Sequence, residues 1–390
     1  MARTQKGRPT VTGAGDVLQL LRQQGPLTRT EIQDRSGFSR VTVGHRVAAL
    51  LEHGLLSEGE ERASSGGRPA TALRFNTDHG VFAVAALETT RTRIALTDLG
   101  GRILAEADVD LRVGAGPEHC LRAAEERIDE LLSVRAPSSA PLRGVGISLP
   151  GPVDPGTQRP SEPPIMPGWD AYPVADRLQD RFGVPVVVDN DANVMALGEQ
   201  RERYAAVQSL VLVKVSTGIG AGIVIDGSLH RGVDGGAGDI GHTRVGGSDG
   251  ELCRCGNRGC LAAYASGAAV ARRLSTTEHV LETGHEVRDL LDAGDPQAVG
   301  AVAEAGESIG VVLAGMVSML NPTVLVLAGD LASTALLGGV RASLYRLTLP
   351  RATRRMEIVL GRPGSAGRGL AAALVDKAFA PAVVDAALQS

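Results

Sequence analysis

Aromatic side chains are scarce in this 390-residue chain: one Trp, four Tyr and five Phe, 3% in all. A core for a chain of this length must therefore be built mainly from Val, Leu, Ile and Ala. Cysteine is scarcer, and four in 390 residues exclude a disulfide-stapled secreted scaffold. No unbroken apolar run reaches the roughly 18 residues of a membrane span. The basic start, MARTQKGRPT, is not followed by the apolar stretch of a signal peptide. These absences lead to the expectation of a cytoplasmic protein that meets no membrane. What is present, 43% hydrophobic and 22% charged residues, is the balance of a globular protein with two or three domains.

Charge is unevenly shared. Residues 1–75 carry 11 Lys and Arg against 7 Asp and Glu, whereas the rest carries 29 against 37. A small basic head on an acidic body implies that only the head meets a polyanion. Within it, Asp16–Gln24 reads as a helix stopped by Gly25-Pro26. Thr28 and Glu31 form a capping box for a second helix, which ends at Ser36-Gly37. Ser39 caps a third, with Val41, Val43, Val47, Leu50 and Leu51 expected on its inward face. Helix, glycine turn, helix is the helix-turn-helix pattern. Its second member would offer Ser39, Arg40, Thr42, His45 and Arg46 to a DNA major groove. A hairpin from Leu55-Leu56 to Ala72–Phe75 follows as a wing, with Arg68 at its tip placed for the minor groove. The plainer alternative is a helical bundle that only dimerises or docks protein. Three helices, a wing and positive charge together favour double-stranded DNA as partner.

From His79 onward strands alternate with helices: Val81–Leu87, Arg93–Thr97 and Arg102–Asp108 as strands, then a helix from Pro117 to Val134 carrying Cys120. A strand at Arg143–Ser148, a Pro/Gly-rich loop over Pro150–Trp169, a helix near Val174–Phe182 and a strand at Val184–Val188 complete the series. At the end of the last strand stands Asp189-Asn190-Asp191-Ala192-Asn193, where α/β folds bind ligands. Asp191 can act there as a general base toward a sugar hydroxyl; equally, Asn and Asp cap the next helix. Ser216–Gly222 likewise fits two roles, a turn whose N–H groups hold phosphate oxygens or a glycine-rich hairpin. The sharpest local signal is His242, Cys253, Cys255 and Cys260, one imidazole and three thiols suited to a closed structural Zn2+ site.

In this order the pieces resemble the ROK family (repressors, open reading frames and sugar kinases) over residues 15–385. The matching elements are Gly66-Gly67-Arg68-Pro69, Pro150–Val153, Asn190–Asn193, Ser216–Gly222, Gly241-His242, the Cys253–Leu261 segment and Asn321-Pro322. The resemblance implies an α/β fold: a winged helix-turn-helix over residues 1–77, then a two-lobed, actin-like ATPase architecture. Its small lobe would cover residues 78–195, its large lobe with the zinc site 196–369, and a C-terminal helix near 370–390 would return to the small lobe. It also implies a sugar pocket drawing on Asn190, Asp191, Asp239 and His242.

Departures from the family pattern matter as much. Where its kinases carry Asp-x-Gly-Gly-Thr, this chain reads Ala86-Leu87-Glu88-Thr89-Thr90, and the later glycine-rich adenosine segment reads Leu327-Ala328-Gly329-Asp330. Phosphoryl transfer depends on positioning and charge neutralisation, so Asp191 is expected to be a vestigial base and the protein not an enzyme. Asp239 replaces a Glu, Ala262 another Glu, and Ile165 an Asn, which alters what the pocket can recognise. The expectation is a homodimeric or homotetrameric regulator, a repressor in preference to an activator, that binds operator DNA and a carbohydrate effector. Two alternatives stand beside it: a ligand-free zinc-stabilised scaffold, and a bifunctional sugar kinase.

Overall fold

The computed structural model describes residues 13–62, 70–135, 140–247 and 249–389. The head holds three helices, α1 (Ala14–Gln24), α2 (Arg29–Ser36) and α3 (Arg40–Glu52), then the antiparallel pair β1 (Leu56–Arg62) and β2 (Ala70–Phe75). The expected caps form. The Thr28 hydroxyl accepts from the Glu31 N–H, while the Glu31 carboxylate accepts from the Thr28 N–H at 2.7 Å. Ser39 accepts from the Thr42 N–H at 3.1 Å. Each such cap contributes about 1 kcal/mol. The inward face of α3 is narrower than its sequence suggests. Val43, Val47 and Leu50 are buried, but Val41 is 68% exposed. Two residues from Val43, it falls on the opposite side of the helix. Arg68 lies outside the described residues.

The body is one plan used twice. In the first lobe β3 (Val81–Leu87), β4 (Thr92–Asp98) and β5 (Ile103–Val109) form an antiparallel meander. Helix α4 (Pro117–Arg135) then leads to β6 (Leu142–Leu149), and α5 (Val174–Phe182) to β7 (Val186–Asn190), giving the sheet order β5-β4-β3-β6-β7. After α6 (Asp191–Arg203), the second lobe repeats the scheme with β8 (Leu210–Val215), β9 (Ile219–Ile225) and β10 (Ser228–His230). A helical region follows: α7 (Leu261–Ala265), α8 (Gly267–Leu274), α9 (Gly284–Asp292) and α10 (Pro296–Leu320). Then come β11 (Val324–Ala328), α11 (Thr334–Leu347), α12 (Pro350–Thr353) and β12 (Glu357–Leu360), and the sheet order is β10-β9-β8-β11-β12. Two sheets of equal order and parallel-antiparallel pattern are the two-lobed, actin-like arrangement. Among the described residues α10 alone is long and apolar enough to cross a membrane. Its inward face (Val302, Ile309, Leu313, Val317) is buried in the second-lobe core.

The lobes and the head are joined by the last two helices, α13 (Ser365–Ala378) and α14 (Pro381–Ala387). Helix α13 crosses α6 so closely that a Cβ on Gly369 would lie 1.7 Å from the Val194 carbonyl oxygen. Only glycine permits that approach. Leu370 and Leu374 of α13, Phe82 and Val84 of β3, and Val17, Leu18 and Val47 of the head belong to one continuous apolar core. Phe75 meets Phe379 edge to face at 5.4 Å. Arg22 of α1 donates to Asp376 and to the Phe379 carbonyl, and the Gly15 N–H donates to Asp385 at 2.9 Å. The head is thus packed on the body, not tethered to it.

Candidate functional site: a cleft between the lobes and a surface on the head

On the head, Ser39, Arg40 and His45 are exposed on α3, beside Val41. Thr42 is half-buried, and its hydroxyl shares a 2.8 Å hydrogen bond with that of Ser39. Arg46 lies with its guanidinium carbon 3.8 Å from the Phe38 ring centroid, a cation–π contact that fixes it against the turn before α3. The face presented outward is therefore polar and cationic at its start, with one apolar side chain among the polar ones.

The body's cleft is a cavity of about 450 Å3 between the lobes. It is lined by Asn190, Asp191, Asp239 and His242, and by the three departures Ile165, Asp239 and Ala262. Asn190 and Asp191 sit where β7 hands over to α6, and the capping role is realised there. Asn190 Oδ1 accepts from the Ala192 and Asn193 N–H groups at 2.9 and 3.3 Å, while its Nδ2 donates to the Gly151 carbonyl at 3.0 Å. Asp191 Oδ1 accepts from the Ala192 N–H at 2.7 Å. Its other oxygen, Oδ2, is held at 2.6 Å by the ammonium of Lys214.

Lys214 escaped the sequence reading. Its signal is one charge in the strand Leu-Val-Leu-Val-Lys-Val, whose other residues are all buried and apolar. A buried lysine needs a partner, and Asp191 supplies it. Glu88 adds a second carboxylate at 3.9 Å. Burial works against the ammonium, but Asp191 and Glu88 outweigh it and hold its pKa above the ordinary lysine value. Arg231 escaped as well. It clamps Asp189 through two bonds of 2.6 and 2.9 Å from the second lobe, and its carbonyl accepts from the Ala237 N–H. The loop bearing Asp239 is thereby fixed relative to Asn190 and Asp191.

Ser216–Gly222 proves to be the turn and second strand of a hairpin, β8 to β9, with the Ser216 N–H donating to the Gly218 carbonyl at 2.9 Å. The turn faces the cleft. Opposite it, the β3–β4 turn carries Glu88 to Arg91, and Arg91 reaches His285 of α9 at 2.9 Å.

Beside the cleft the donor atoms of His242, Cys253, Cys255 and Cys260 all lie within 4.8 Å of one another. His242 Nδ1 is 3.6 Å from the Cys253 sulfur, and the Cys255 and Cys260 sulfurs are 3.8 Å apart. Around one ion with bonds of about 2.0–2.3 Å, tetrahedral ligands stand at such separations. The other ring nitrogen, Nε2, faces Asp239 Oδ1 at 3.8 Å. One imidazole therefore links the thiol cluster to the cavity wall. Cys120, by contrast, is buried in α4, and burial pushes its thiol pKa up.

The chain matches the ROK family over residues 86–375. It belongs to that family. Among its relatives, the DNA-binding transcriptional dual regulator NagC of Escherichia coli is 30% identical over 332 residues, covering 81% of this chain and 79% of NagC. The xylose repressor of Caldicellulosiruptor bescii is 29% identical over 334 residues, covering 81% and 82%. Among solved structures, a ROK family transcriptional regulator, homologous to the Escherichia coli MLC protein, superposes with a TM-score of 0.80. It covers 97% of this chain and 98% of its own at 24% identity. A ROK glucokinase from Streptomyces griseus, in complex with glucose and AMPPNP, gives 0.62 at 27% identity, covering 76% of this chain and 99% of the glucokinase. The regulator spans head and body; the kinase spans about three-quarters of the chain.

Proposed function

We propose that this ROK protein is a sugar-responsive transcriptional regulator, a repressor by preference, whose cleft binds a carbohydrate or carbohydrate derivative without phosphorylating it. The observation that carries the regulatory reading is the exposed face of α3 on a head whose apolar core is continuous with the body. Arg40 and His45 read base edges, Ser39 contacts base or phosphate, and Thr42 and Arg46 position the helix. Arg68, outside the described residues, is the proposed minor-groove contact. A homodimer or homotetramer presents two such heads to half-sites roughly one helical turn apart, or a multiple of that.

The carboxylate that would take a proton from a sugar hydroxyl has one oxygen held by a backbone N–H and the other by Lys214. A general base must reach the proton it removes, and here the lysine stands first. Asp191 and Asn190 then serve as hydrogen-bond acceptor and anchor for a bound polyol, with Asp239 and His242 on the facing wall. His242, Cys253, Cys255 and Cys260 hold a structural Zn2+, which ties the Cys253–Cys260 loop to the segment carrying His242 and so shapes that wall. The ion's chemistry here is cross-linking, with all four positions filled by protein.

DNA fragments selected by the zinc-loaded protein from a genomic pool, measured by fluorescence anisotropy, test the first part. Sequence-selective binding that Arg40→Ala weakens is expected; retention of every fragment alike would sink the reading. ATP-dependent phosphorylation of any sugar, abolished by Asp191→Asn, would overturn the second part. Ile165 and Ala262 favour one competing reading, a scaffold without effector, because they remove polar partners from the cavity wall. A thermal-shift panel of sugars, amino sugars and sugar phosphates separates the two, since a ligand at about 100 times its Kd stabilises by ~2.7 kcal/mol.

A further inference from the structure

Three acidic side chains, Glu88, Asp191 and Asp330, face the cleft from both lobes, with Arg91 beside them, and Lys214 is the cation in contact with two of them. Lys214 Nζ lies 2.6 Å from Asp191 Oδ2 and 3.9 Å from Glu88 Oε1, with its side chain 8% exposed. The field of Asp330 also reaches the ammonium. Asp191 and Glu88 belong to the first lobe, Lys214 and Asp330 to the second. A knot of this kind at a lobe boundary is what phosphoryl-transfer sites complete with a divalent ion, whose charge gathers oxygens from both sides.

We propose that Lys214 is a resident counter-ion: it does with a fixed side chain what a bound divalent cation does in a phosphoryl-transfer cleft. Two consequences follow from charge alone. A Mg2+ or Mn2+ ion approaching Asp191 meets an ammonium already on its oxygen, so the cleft excludes divalent ions. The ionic tie between the lobes also needs no nucleotide, so the lobes are held together whether or not ATP and Mg2+ are present. Lys214 is thus a positioning residue. It sets the orientation of Asp191 toward the cavity and joins β8 to the start of α6, the helix that crosses α13 beneath the head. The inference rests on the proposed reading only in treating the cleft as non-catalytic.

The test uses full-length, zinc-loaded protein without sugar or DNA, so its result stands apart from that of the effector screen. Mn2+ binding is titrated by electron paramagnetic resonance on the wild type, Lys214→Met, Lys214→Arg and Asp191→Asn. The wild type and Lys214→Arg are expected to show no Mn2+ site that depends on Asp191. Lys214→Met exposes the carboxylates and is expected to bind Mn2+ at least roughly tenfold more tightly, an increase abolished by adding Asp191→Asn. Where Lys214→Met does not fold in plain buffer, millimolar Mn2+ or Mg2+ is expected to restore its folded circular dichroism signal. A wild-type Mn2+ site lost in Asp191→Asn overturns the proposal. So does a folded Lys214→Met variant that gains no Mn2+ affinity, or an unfolded one that the ions do not restore.

Discussion

Two clusters of ionisable side chains border the same cavity, and they differ in where their cation comes from. The His242, Cys253, Cys255 and Cys260 set brings four donors within 4.8 Å. Among the described residues no Lys or Arg hydrogen bonds to those thiols. The Glu88, Asp191 and Asp330 set carries its cation in the sequence, as Lys214. The first cluster offers four donor atoms close enough to share an ion; the second already holds an ammonium from the chain itself. Polar groups gathered in a protein interior need compensation, and the two walls of one cleft meet that need in opposite ways. The contrast also locates what each cluster can do. A cross-link shapes a wall, whereas an ion pair across a lobe boundary responds to anything that competes for Asp191.

The largest effect expected from breaking this comparison is on the thiol side. Cys260→Ser, or chelation of the purified protein, is expected to lower stability by about 4 kcal/mol or more, the range of lost metal sites. Elemental analysis should find one zinc per chain in the wild type and none in the variant. A wild type that is metal-free yet equally stable after chelation would remove that side of the contrast.

On the carboxylate side the expected loss is somewhat smaller and depends on which partner goes. Lys214→Met and Asp191→Asn each strip a partner from a buried pair, which costs about 3–5 kcal/mol. The double variant Lys214→Met/Asp191→Leu leaves neither charge behind. It is therefore expected to recover a good part of that loss, as read by urea unfolding. Equal losses for single and double variants would mean that the whole loss is the pair's own coupling and that the charge left behind adds no further penalty.

Much of this was open to sequence reading, for reasons that differ between the regions. Caps, glycine turns and short apolar strands are local, so the helices of the head and the strands of the first-lobe sheet could be placed from residue order, whereas most strands of the second sheet could not. The Cys-x-Cys spacing made the thiol cluster legible because one short loop supplies three of its ligands. Lys214 and Arg231 were not legible, because their meaning lies in partners 23 and 42 residues away across a lobe boundary. The joint core of head and C-terminal helices was hidden for the same reason: Val17 and Leu374 meet only in the fold. Val41 shows the converse error, an apolar residue assigned inward by type when its helical position turns it outward.

Next in size comes the connection between cleft and head. Gly369→Ala places a methyl group 1.7 Å from the Val194 carbonyl oxygen, so α6 and α13 must move apart. Overpacking of this order costs about 1–3 kcal/mol. Because α13 shares the head's core, operator affinity is expected to fall along with stability; an unchanged affinity would disconnect the two regions. On the head itself, Arg40→Ala is expected to weaken operator binding by about 1–3 kcal/mol while leaving the melting temperature and zinc content unchanged.

The smallest effect sharpens the electrostatics of the cleft. Burial raises the pKa of Asp330, Glu88 raises it further, and Lys214, the Ser216 hydroxyl and Arg91 pull it back only in part. A carboxyl whose folded pKa stands above its unfolded value of 3.8 binds its proton more tightly in the native state. Its stabilising contribution is therefore fully present below pH 3.8 and is lost as pH rises through the raised folded value. At neutral pH the ionised group is a liability, tolerated because Lys214 stands close. Asp330→Asn is expected to flatten that limb of the stability–pH curve and to leave the protein slightly more stable at pH 7. In the Lys214→Met background, where only the Ser216 hydroxyl and Arg91 still offset the charge, the gain from Asp330→Asn should be larger. Were the gain the same in both backgrounds, Lys214 would not be compensating Asp330, and its reach would shrink to Asp191 and Glu88.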